Sequence, residues 1–260
     1  MAIGIIGGTG VYDPDLLESI EQVKVETPFG EPSGLITKGK IEGKDIVIIP
    51  RHGSKHSFNP GKVPYRANIW AMKQLGVTKL ISVSAVGSLK EDIKPGDFVF
   101  TDQFIDRTTK RDQTFYEEDK VCHISVAEPF CRGLRGKLVP RAKELGYHFH
   151  ENGTCVVIEG PRFSTKAESS LFRSWDADII NMTLVPEAVL AREAEMCYAN
   201  IAMVTDYDVW HDKPVSNEEV LKTMKQNIEK VRKLLMAVVQ DIDDTKVCPQ
   251  CNQALKDAMM

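Results

Sequence analysis

Two carboxylates at one strand end are the first groups in the sequence that could do acid–base chemistry. Asp206 and Asp208 follow a predicted apolar strand at residues 198–204 and lie two positions apart. Alternate side chains of an extended chain point to the same face, so both carboxylates would face the same way if the chain stays extended. Such a pair serves general acid catalysis if its pKa is raised, but paired acids are also common as surface charges or cation ligands. The spacing leaves those alternatives open.

A second set of candidate groups is suited to a phosphate. Arg51 and His52 follow an apolar run, and residues 82–88 end another predicted strand with hydroxyls and a glycine turn. A guanidinium suits an oxyanion because its N–H groups match two oxygens. Thr183 precedes a predicted helix, where it is either an N-cap or a donor beside an anion-attracting helix terminus. With Thr9 in the first glycine turn, these strand ends predict a phosphate pocket.

The first glycine turn also suggests a dinucleotide fingerprint. Gly7-Gly8-Thr9-Gly10 follows a short apolar strand at residues 3–6, which is the order found in dinucleotide-binding folds. Those folds continue with a full helix, whereas here Asp13-Pro14 interrupts the chain and only about six residues before Gln22 could be helical. The context therefore argues against a dinucleotide site.

The elements that must position these groups indicate one α/β domain. Residues 34–50 predict a hairpin around Glu42-Gly43-Lys44, and the second half of the chain alternates helix and strand, which is typical of a largely parallel sheet. Ser216-Asn217-Glu218-Glu219 is a capping box that predicts a long amphipathic final helix. A polar, aromatic stretch at residues 107–119 predicts a long functional loop. The remaining predicted helices lie at residues 68–75, 132–145, 165–174 and 184–195, and the remaining strands at 79–83, 97–105, 154–158 and 177–181.

Composition narrows the class of protein. Lysine and arginine number 33 against 37 acidic residues, so the formal net charge is -4 and there is no basic field for a nucleic-acid backbone. The sequence starts without a basic leader and contains no apolar run of about 18 residues, which predicts a cytoplasmic protein with no membrane partner.

The cysteines predict neither a disulfide scaffold nor a metal site. Only Cys248 and Cys251, among six cysteines, have C-x-x-C spacing, and two further zinc ligands are not near them in the sequence. A Cys248–Cys251 disulfide is expected only in an oxidising or hyperthermophilic setting, with Cys131 and Cys197 as the competing pair.

Seven motifs in one order give the chain a family resemblance. The motifs are Gly7-Gly8-Thr9-Gly10, Arg51-His52-Gly53, residues 103–108, 127–131 and 159–163, Asn181-Met182-Thr183, and residues 205–208. With them the chain resembles the purine nucleoside phosphorylase and methylthioadenosine phosphorylase family from Ile3 to about residue 240. The resemblance implies that family's fold, a mixed central sheet flanked by helices in a single domain over residues 1–241, followed by a C-terminal tail at 242–260.

The same resemblance implies site residues by position. Asp206 and Asp208 match the catalytic and base-recognition positions, and His123 would be supplied by a neighbouring subunit near the ribose. The matched phosphate ligands are Thr9, Arg51, His52, Ser84, Thr183 and, through its backbone, Ala85. The matched substrate-binding residues are His56, His123, Phe163, Asn181, Met182, Asn217 and Val220.

The implied activity is the phosphorolysis of S-methyl-5′-thioadenosine, and of adenosine as a second substrate, by a homotrimer or a hexamer made of two trimers. Inorganic phosphate is the co-substrate, and no cofactor or metal is implied. Ser84 stands where the family often has threonine, which keeps the hydroxyl. Asn217 stands where an apolar residue usually lines the 5′-methylthio pocket, so an amide there would favour a 5′-hydroxyl.

Three other functions are alternatives. A phosphorylase for 6-oxopurine nucleosides would suit an amide at the base better than two carboxylates. A dinucleotide-dependent oxidoreductase would use the first glycine turn, and a nucleoside-binding protein without turnover would bind but not release the base. Asp206 and Asp208 favour a 6-amino purine because a carboxylate accepts hydrogen bonds from the amino group.

Overall fold

The computed structural model describes residues 1–8, 10–11, 17–117, 119–211 and 217–260, without the side chains of 217–220. Within these ranges the chain forms a mixed sheet flanked by helices, which confirms the predicted α/β class. The strands are β1 (Ala2–Gly7), β2 (Glu18–Val23), β3 (Ile36–Ile41), β4 (Lys44–Pro50), β5 (Val77–Ser88), β6 (Phe98–Phe100), β7 (Gln103–Arg107), β8 (Phe149–His150), β9 (Thr154–Ile158), β10 (Ile179–Asn181) and β11 (Cys197–Asp206). The helices are α1 (Tyr65–Gln74), α2 (Arg132–Glu144), α3 (Lys166–Ser174), α4 (Leu184–Glu193) and α5 (Asn217–Asp241).

Strand β5 organises the sheet. It runs parallel to β1 along its first half and parallel to β11 from Lys79 to Gly87, and its last residues pair antiparallel with β10. The strand order across the main part of the sheet is β2-β3-β4-β1-β5-β10-β9-β7. On a side branch, β11 pairs with β5 and β6, and β6 also pairs with β8. The predicted hairpin is confirmed, because β3 and β4 pair antiparallel around Glu42 and Gly43.

An opening at one edge of β5 creates room for a site. On that edge β1 pairs as far as Ser82, and β10 begins to pair only at Gly87. The intervening residues of β5 have no strand beside them there among the described residues. Order changes of this kind in an α/β sheet are where ligands usually bind.

The two faces of the sheet bury separate apolar layers. Along β1, Ile3 and Ile5 pack into one layer and Ile6 into the other, as the two-residue repeat of a strand requires. Helices α1 and α4 cover one face, and α2 and α5 cover the other. No described helix has the length and apolar character needed to cross a membrane.

Several element predictions need correction. Strand β2 was not predicted, because it is an exposed, charged edge strand without an apolar face. The strand predicted at residues 97–105 is two strands, β6 and β7, which pair with different neighbours. Strand β5 continues through the glycine predicted as a turn, and it ends at Ser88.

The tail after α5 packs on the domain and corrects the prediction for the cysteines. Cys251 is buried, and the sulfur atoms of four cysteines lie together within this single chain. The fold therefore supplies two thiols beside the C-x-x-C pair, although the sequence places none nearby. All six cysteines are free thiols.

Candidate active site

A cavity of about 250 Å³ opens at the carboxyl ends of the strands. Its wall includes residues from the ends of β4, β9, β10 and β11 and from the unpaired edge of β5. The predicted site residues that line it are Arg51, His52, His56, Ser84, Ala85, Phe163, Asn181, Met182, Thr183, Asp206 and Asp208.

Four predicted residues are not seen at this cavity. Thr9 and the side chains of Asn217 and Val220 lie outside the described residues. His123 is described, but it is an exposed residue away from the cavity of its own chain. Its assignment to a neighbouring subunit stays a prediction.

Arg51 is held by a buried carboxylate rather than left free for a bidentate ligand. Its Nε and Nη2 donate to the two oxygens of Glu187 at 2.7 and 2.9 Å, and both side chains are almost fully buried. Burial alone would lower the pKa of Arg51, but the Glu187 carboxylate outweighs burial and raises it. The predicted two-oxygen contact with phosphate is corrected, because Glu187 already takes that side of the guanidinium.

One edge of the Arg51 guanidinium still reaches the cavity wall. Nη1 donates one hydrogen bond, to the Val83 carbonyl at 2.8 Å, and its second hydrogen has no partner among the described residues. A single charge-assisted contact to an anion is therefore available from Arg51.

The hydroxyl and amide side chains near Arg51 form a network of hydrogen bonds. Ser82 Oγ accepts from Arg51 and donates to Glu187, which also accepts from the Tyr198 hydroxyl at 2.8 Å. Asn200 Nδ2 donates to Ser84 Oγ at 3.2 Å. Since Ser84 Oγ accepts there, its own proton is directed to another partner, and the residue lines the cavity.

His52 is a neutral acceptor. Its Nδ1 lies 2.8 Å from the Phe58 carbonyl, which can only accept, so the ring proton sits on Nδ1. Burial, together with the Arg51 guanidinium, lowers the pKa of His52 to about 4. At neutral pH Nε2 can therefore accept a hydrogen bond from a ligand hydroxyl but cannot donate one.

The Asn181 side chain caps the backbone N–H groups at the start of α4. Its Oδ1 accepts from the N–H groups of Thr183 and Leu184 at 2.5 and 2.7 Å. These amides are therefore not available to an anion, which corrects the predicted helix-terminus contact. The Thr183 side chain makes no cap hydrogen bond, and its hydroxyl, which lines the cavity, donates only a long hydrogen bond of 3.4 Å to Asn181 Oδ1.

The two aspartates meet across a turn instead of along an extended strand. Strand β11 ends at Asp206, and Asp208 begins a 3₁₀ turn with a φ of 48°. The Asp208 N–H donates to Asp206 Oδ2 at 3.0 Å, and Ser169 Oγ donates to Asp208 Oδ2 at 2.6 Å. The chain is therefore not extended from Asp206 to Asp208, as the sequence prediction required, yet both side chains line the cavity.

Burial tunes both carboxyls toward the protonated form. Desolvation raises the pKa of Asp206 above its ordinary value, although the Thr205 hydroxyl and the Asp208 N–H oppose the rise by stabilising the carboxylate. Desolvation likewise raises the pKa of Asp208 against the Ser169 hydrogen bond. A raised pKa is what a carboxyl needs to deliver a proton near neutral pH.

Two glycines keep the cavity open. A Cβ on Gly87 would lie 3.2 Å from Asp206 Oδ2 and 3.3 Å from the Asp208 Cβ, so a side chain there would crowd the acidic pair. Gly160 has a φ of 65°, and a Cβ there would lie 2.7 Å from Met182 Sδ. Only glycine allows the 159–163 loop to approach Met182 this closely.

Arg111 fastens the predicted functional loop to the site. Its Nη1 donates to the carbonyls of Met182 and Val185 at 2.7 Å, and its Nη2 donates to the Glu159 carbonyl at 2.6 Å. Its Nε also pairs with the Glu159 carboxylate at 2.9 Å. One buried guanidinium therefore holds two cavity-forming loops at a fixed separation.

Arg111→Met should separate those loops. We expect the free energy of unfolding to fall by about 3 kcal/mol, because Glu159 and several carbonyls lose a buried partner. We also expect the KM for nucleoside to rise more than kcat falls, because Met182 belongs to the binding wall. Steady-state kinetics and thermal denaturation test this, with Arg66→Met as the control at a partly exposed ion pair. Equal losses in both variants would contradict a positioning role for Arg111.

Sequence reasoning missed Glu187 and Arg111. Glu187 was detectable as the one charged residue in the otherwise apolar run Leu184–Ala191, since an acid buried in a helix must be paired. Arg111 gave no local signal, because its partners lie on loops distant in the sequence.

Comparisons with known proteins agree with this architecture. The family model described as the phosphorylase superfamily matches residues 2–240. A curated S-methyl-5′-thioadenosine phosphorylase from Thermofilum pendens is 56% identical over 258 residues, covering 99% of this chain and 98% of the relative.

Solved structures give the same result. A methylthioadenosine phosphorylase from an antarctic soil metagenomic library is 42% identical, with a TM-score of 0.95, and covers 99% of this chain and 92% of that one. A methylthioadenosine phosphorylase from Schistosoma mansoni, in complex with adenine, is 38% identical with a TM-score of 0.94 and covers 99% of this chain and 98% of that one. The chain therefore belongs to the S-methyl-5′-thioadenosine phosphorylase family of the phosphorylase superfamily.

Proposed function

We propose that the chain is a pentosyltransferase that cleaves S-methyl-5′-thioadenosine, with adenosine as a second substrate, in purine and methionine salvage. Phosphate enters the reaction, and adenine and 5-methylthioribose 1-phosphate leave it. The observation that carries the proposal is one cavity with anion-binding donors at one part of its wall and a protonatable acid pair at another. No cofactor is required by this chemistry.

The phosphate end of the proposal uses Arg51, Ser84 and Thr183 as donors. Arg51 offers one Nη1 hydrogen, and Ser84 Oγ, which accepts from Asn200, keeps its own proton for the ligand. The Thr183 hydroxyl would exchange its long hydrogen bond to Asn181 Oδ1 for one to the phosphate. His52 accepts from the phosphate hydroxyl, which selects the hydrogen phosphate form. The Ala85 N–H contributes from the unpaired edge of β5, and Thr9 completes the set in the proposal.

The base end of the proposal uses Asp206 as the general acid. A phosphate oxygen forms a bond to C1′ as the C1′–N9 bond breaks, and the electron pair goes to the purine. Asp206 gives its proton to N7 of the leaving base, which neutralises that charge. Asp208 and Asn181 bind the base edge, while Phe163 covers the base from the half-exposed rim.

The ribose and its 5′ group occupy the space between these ends. We place Met182 beneath the sugar and His56 near its hydroxyls. The family resemblance assigns Asn217 and Val220 to the 5′ substituent. Holding phosphate and ribose together removes most of the entropic cost of attack.

We also propose a cytoplasmic homo-oligomer, a trimer or a dimer of trimers, without nucleic-acid or membrane partners. The exposed position of His123 suits a residue that completes a neighbour's site. In this proposal residues 1–241 are the phosphorylase domain and residues 242–260 are an appended tail.

An assay with and without phosphate tests the function. Adenine release from S-methyl-5′-thioadenosine should require phosphate and should yield one sugar phosphate for each adenine. Base release without phosphate would indicate a hydrolase, and binding without release would indicate a non-catalytic binding protein. Faster turnover of methylthioinosine would favour the 6-oxopurine alternative, and nicotinamide-dependent absorbance changes would favour an oxidoreductase.

A further inference from the structure

Four of the six cysteines converge away from the active-site cavity. The sulfur atoms of Cys131, Cys197, Cys248 and Cys251 all lie within 4.8 Å of one another. Cys131 immediately precedes α2, Cys197 begins β11, and the other two belong to the tail after α5. None of them lines the cavity proposed for nucleoside and phosphate.

The backbone builds this cluster from three parts of the chain. The Cys131 N–H donates to the Tyr198 carbonyl at 2.8 Å, which joins the start of α2 to the start of β11. In the tail, the Asn252 N–H donates to the Cys248 carbonyl at 2.9 Å, closing a turn over the C-x-x-C pair. Arg192 donates to the Gln250 carbonyl within that turn at 3.4 Å.

The four sulfur atoms are buried deeply enough to form a metal site that is closed to water. Cys131, Cys197 and Cys251 are 8%, 4% and 5% exposed, and Cys248 is half-buried against the same apolar layer. A closed shell of four sulfur atoms is the arrangement of a structural metal site, whereas a catalytic metal keeps one position open.

We propose that these four cysteines bind one zinc ion that fastens the C-terminal tail to the domain. Zinc–sulfur bonds of about 2.3 Å place tetrahedral sulfur atoms about 3.8 Å apart, which lies within the observed limit. A multi-iron cluster would hold its sulfur ligands farther apart. Four thiolates in a tetrahedral arrangement favour zinc among the common metal ions, and zinc binding involves no change of oxidation state.

Charge and protons balance in this site. Each thiol gives its proton to water as it binds, so four thiolates and one Zn²⁺ carry a net charge of -2. Cys131 lies at the N-terminus of the 13-residue helix α2. That terminus and its N–H groups offset part of the negative charge.

The tail contacts the domain through the carbonyls of Lys246 and Gln250, and zinc would add a fixed attachment. The tail forms no helix after α5, and its described structure is a succession of turns. Its end nevertheless pairs with residues 121–123: the Met260 N–H donates to the Val121 carbonyl at 3.0 Å, and the His123 N–H donates to the Ala258 carbonyl at 2.8 Å. Zinc binding should therefore also order the segment that carries His123.

Metal content of the full-length protein tests the proposal first. After purification in reducing buffer and dialysis against a weak chelator, we expect about one zinc per chain by mass spectrometry. Replacement with cobalt(II) should give the visible absorption of a tetrahedral tetrathiolate site. Iron in place of zinc, or no bound metal, would overturn the assignment.

A cysteine variant locates the ion. Cys248→Ser/Cys251→Ser should lose the zinc, whereas Cys122→Ser, outside the cluster, should keep it. In the double variant, hydrogen exchange at the His123 and Met260 amides should accelerate, and it should not in the control. Retention of zinc by the double variant would disprove the site.

Thiol counting keeps the proposal testable if the double variant fails to fold. Denatured in chelator, the wild-type chain should show all six cysteines as reactive thiols. Two reactive thiols and no zinc would mean two disulfides in the cluster and would overturn the proposal. None of these measurements depends on phosphorolysis.

Discussion

Asp206→Asn is expected to lower kcat for S-methyl-5′-thioadenosine cleavage by about 10²- to 10⁴-fold, the usual contribution of a general acid. The amide keeps the size of the side chain, and its oxygen can still accept a hydrogen bond from Thr205. Its N–H groups are not acidic, however, so the amide cannot transfer a proton to N7. The KM for nucleoside should change less than kcat. Steady-state kinetics of purified variant and wild type measure the split.

The pH profile gives the same prediction an independent readout. The acting form of Asp206 is protonated, and burial raises its pKa. Wild-type kcat should therefore be highest below that raised pKa and fall as the pH rises through it. The asparagine variant should lose this limb of the profile.

Asp176→Asn is a suitable control because Asp176 is an exposed acid paired with Lys90 outside the cavity. It should leave both kcat and the pH profile unchanged. Near wild-type turnover in Asp206→Asn would show instead that Asp206 only recognises the base.

The parts of the site that sequence could predict are those presented by regular strands. Arg51 and Asp206 stand at or directly after the ends of β4 and β11, which run parallel to β1 and β5, and such strand ends meet at one edge of a sheet. Asn181 ends β10, which runs antiparallel to β5 and reaches the same cavity from the opposite direction. Apolar runs locate such strands without knowledge of long-range contacts. The positions of these residues therefore followed from local pattern.

The state of each residue did not follow, because it depends on distant partners. The sequence predicts that Arg51 donates two hydrogen bonds to phosphate. In the structure Nε and Nη2 of Arg51 instead donate to Glu187, which lies 136 positions away. The amides before α4 were expected to attract an anion, but the Asn181 side chain satisfies them. Nor could the spacing of six cysteines show that four of them meet.

Arg51→Ala should have two separable effects. The KM for phosphate should rise about 10- to 100-fold, because a charge-assisted contact contributes about 1.5 to 3 kcal/mol. The free energy of unfolding should fall by about 3 to 5 kcal/mol, because the buried Glu187 carboxylate loses its partner. The nucleoside KM should change little in the protein that remains folded.

The double variant Arg51→Met/Glu187→Met separates the two effects. Replacing both members of a buried ion pair by apolar side chains is often neutral for stability, so unfolding should return toward the wild-type value. The phosphate KM should stay raised, because Arg51, and not Glu187, is the member of this pair that lines the cavity and offers a hydrogen to the anion. Phosphate kinetics and denaturant unfolding of the single and double variants complete the cycle. An unchanged phosphate KM in the double variant would mean that the anion binds elsewhere and that the Arg51–Glu187 pair serves folding alone.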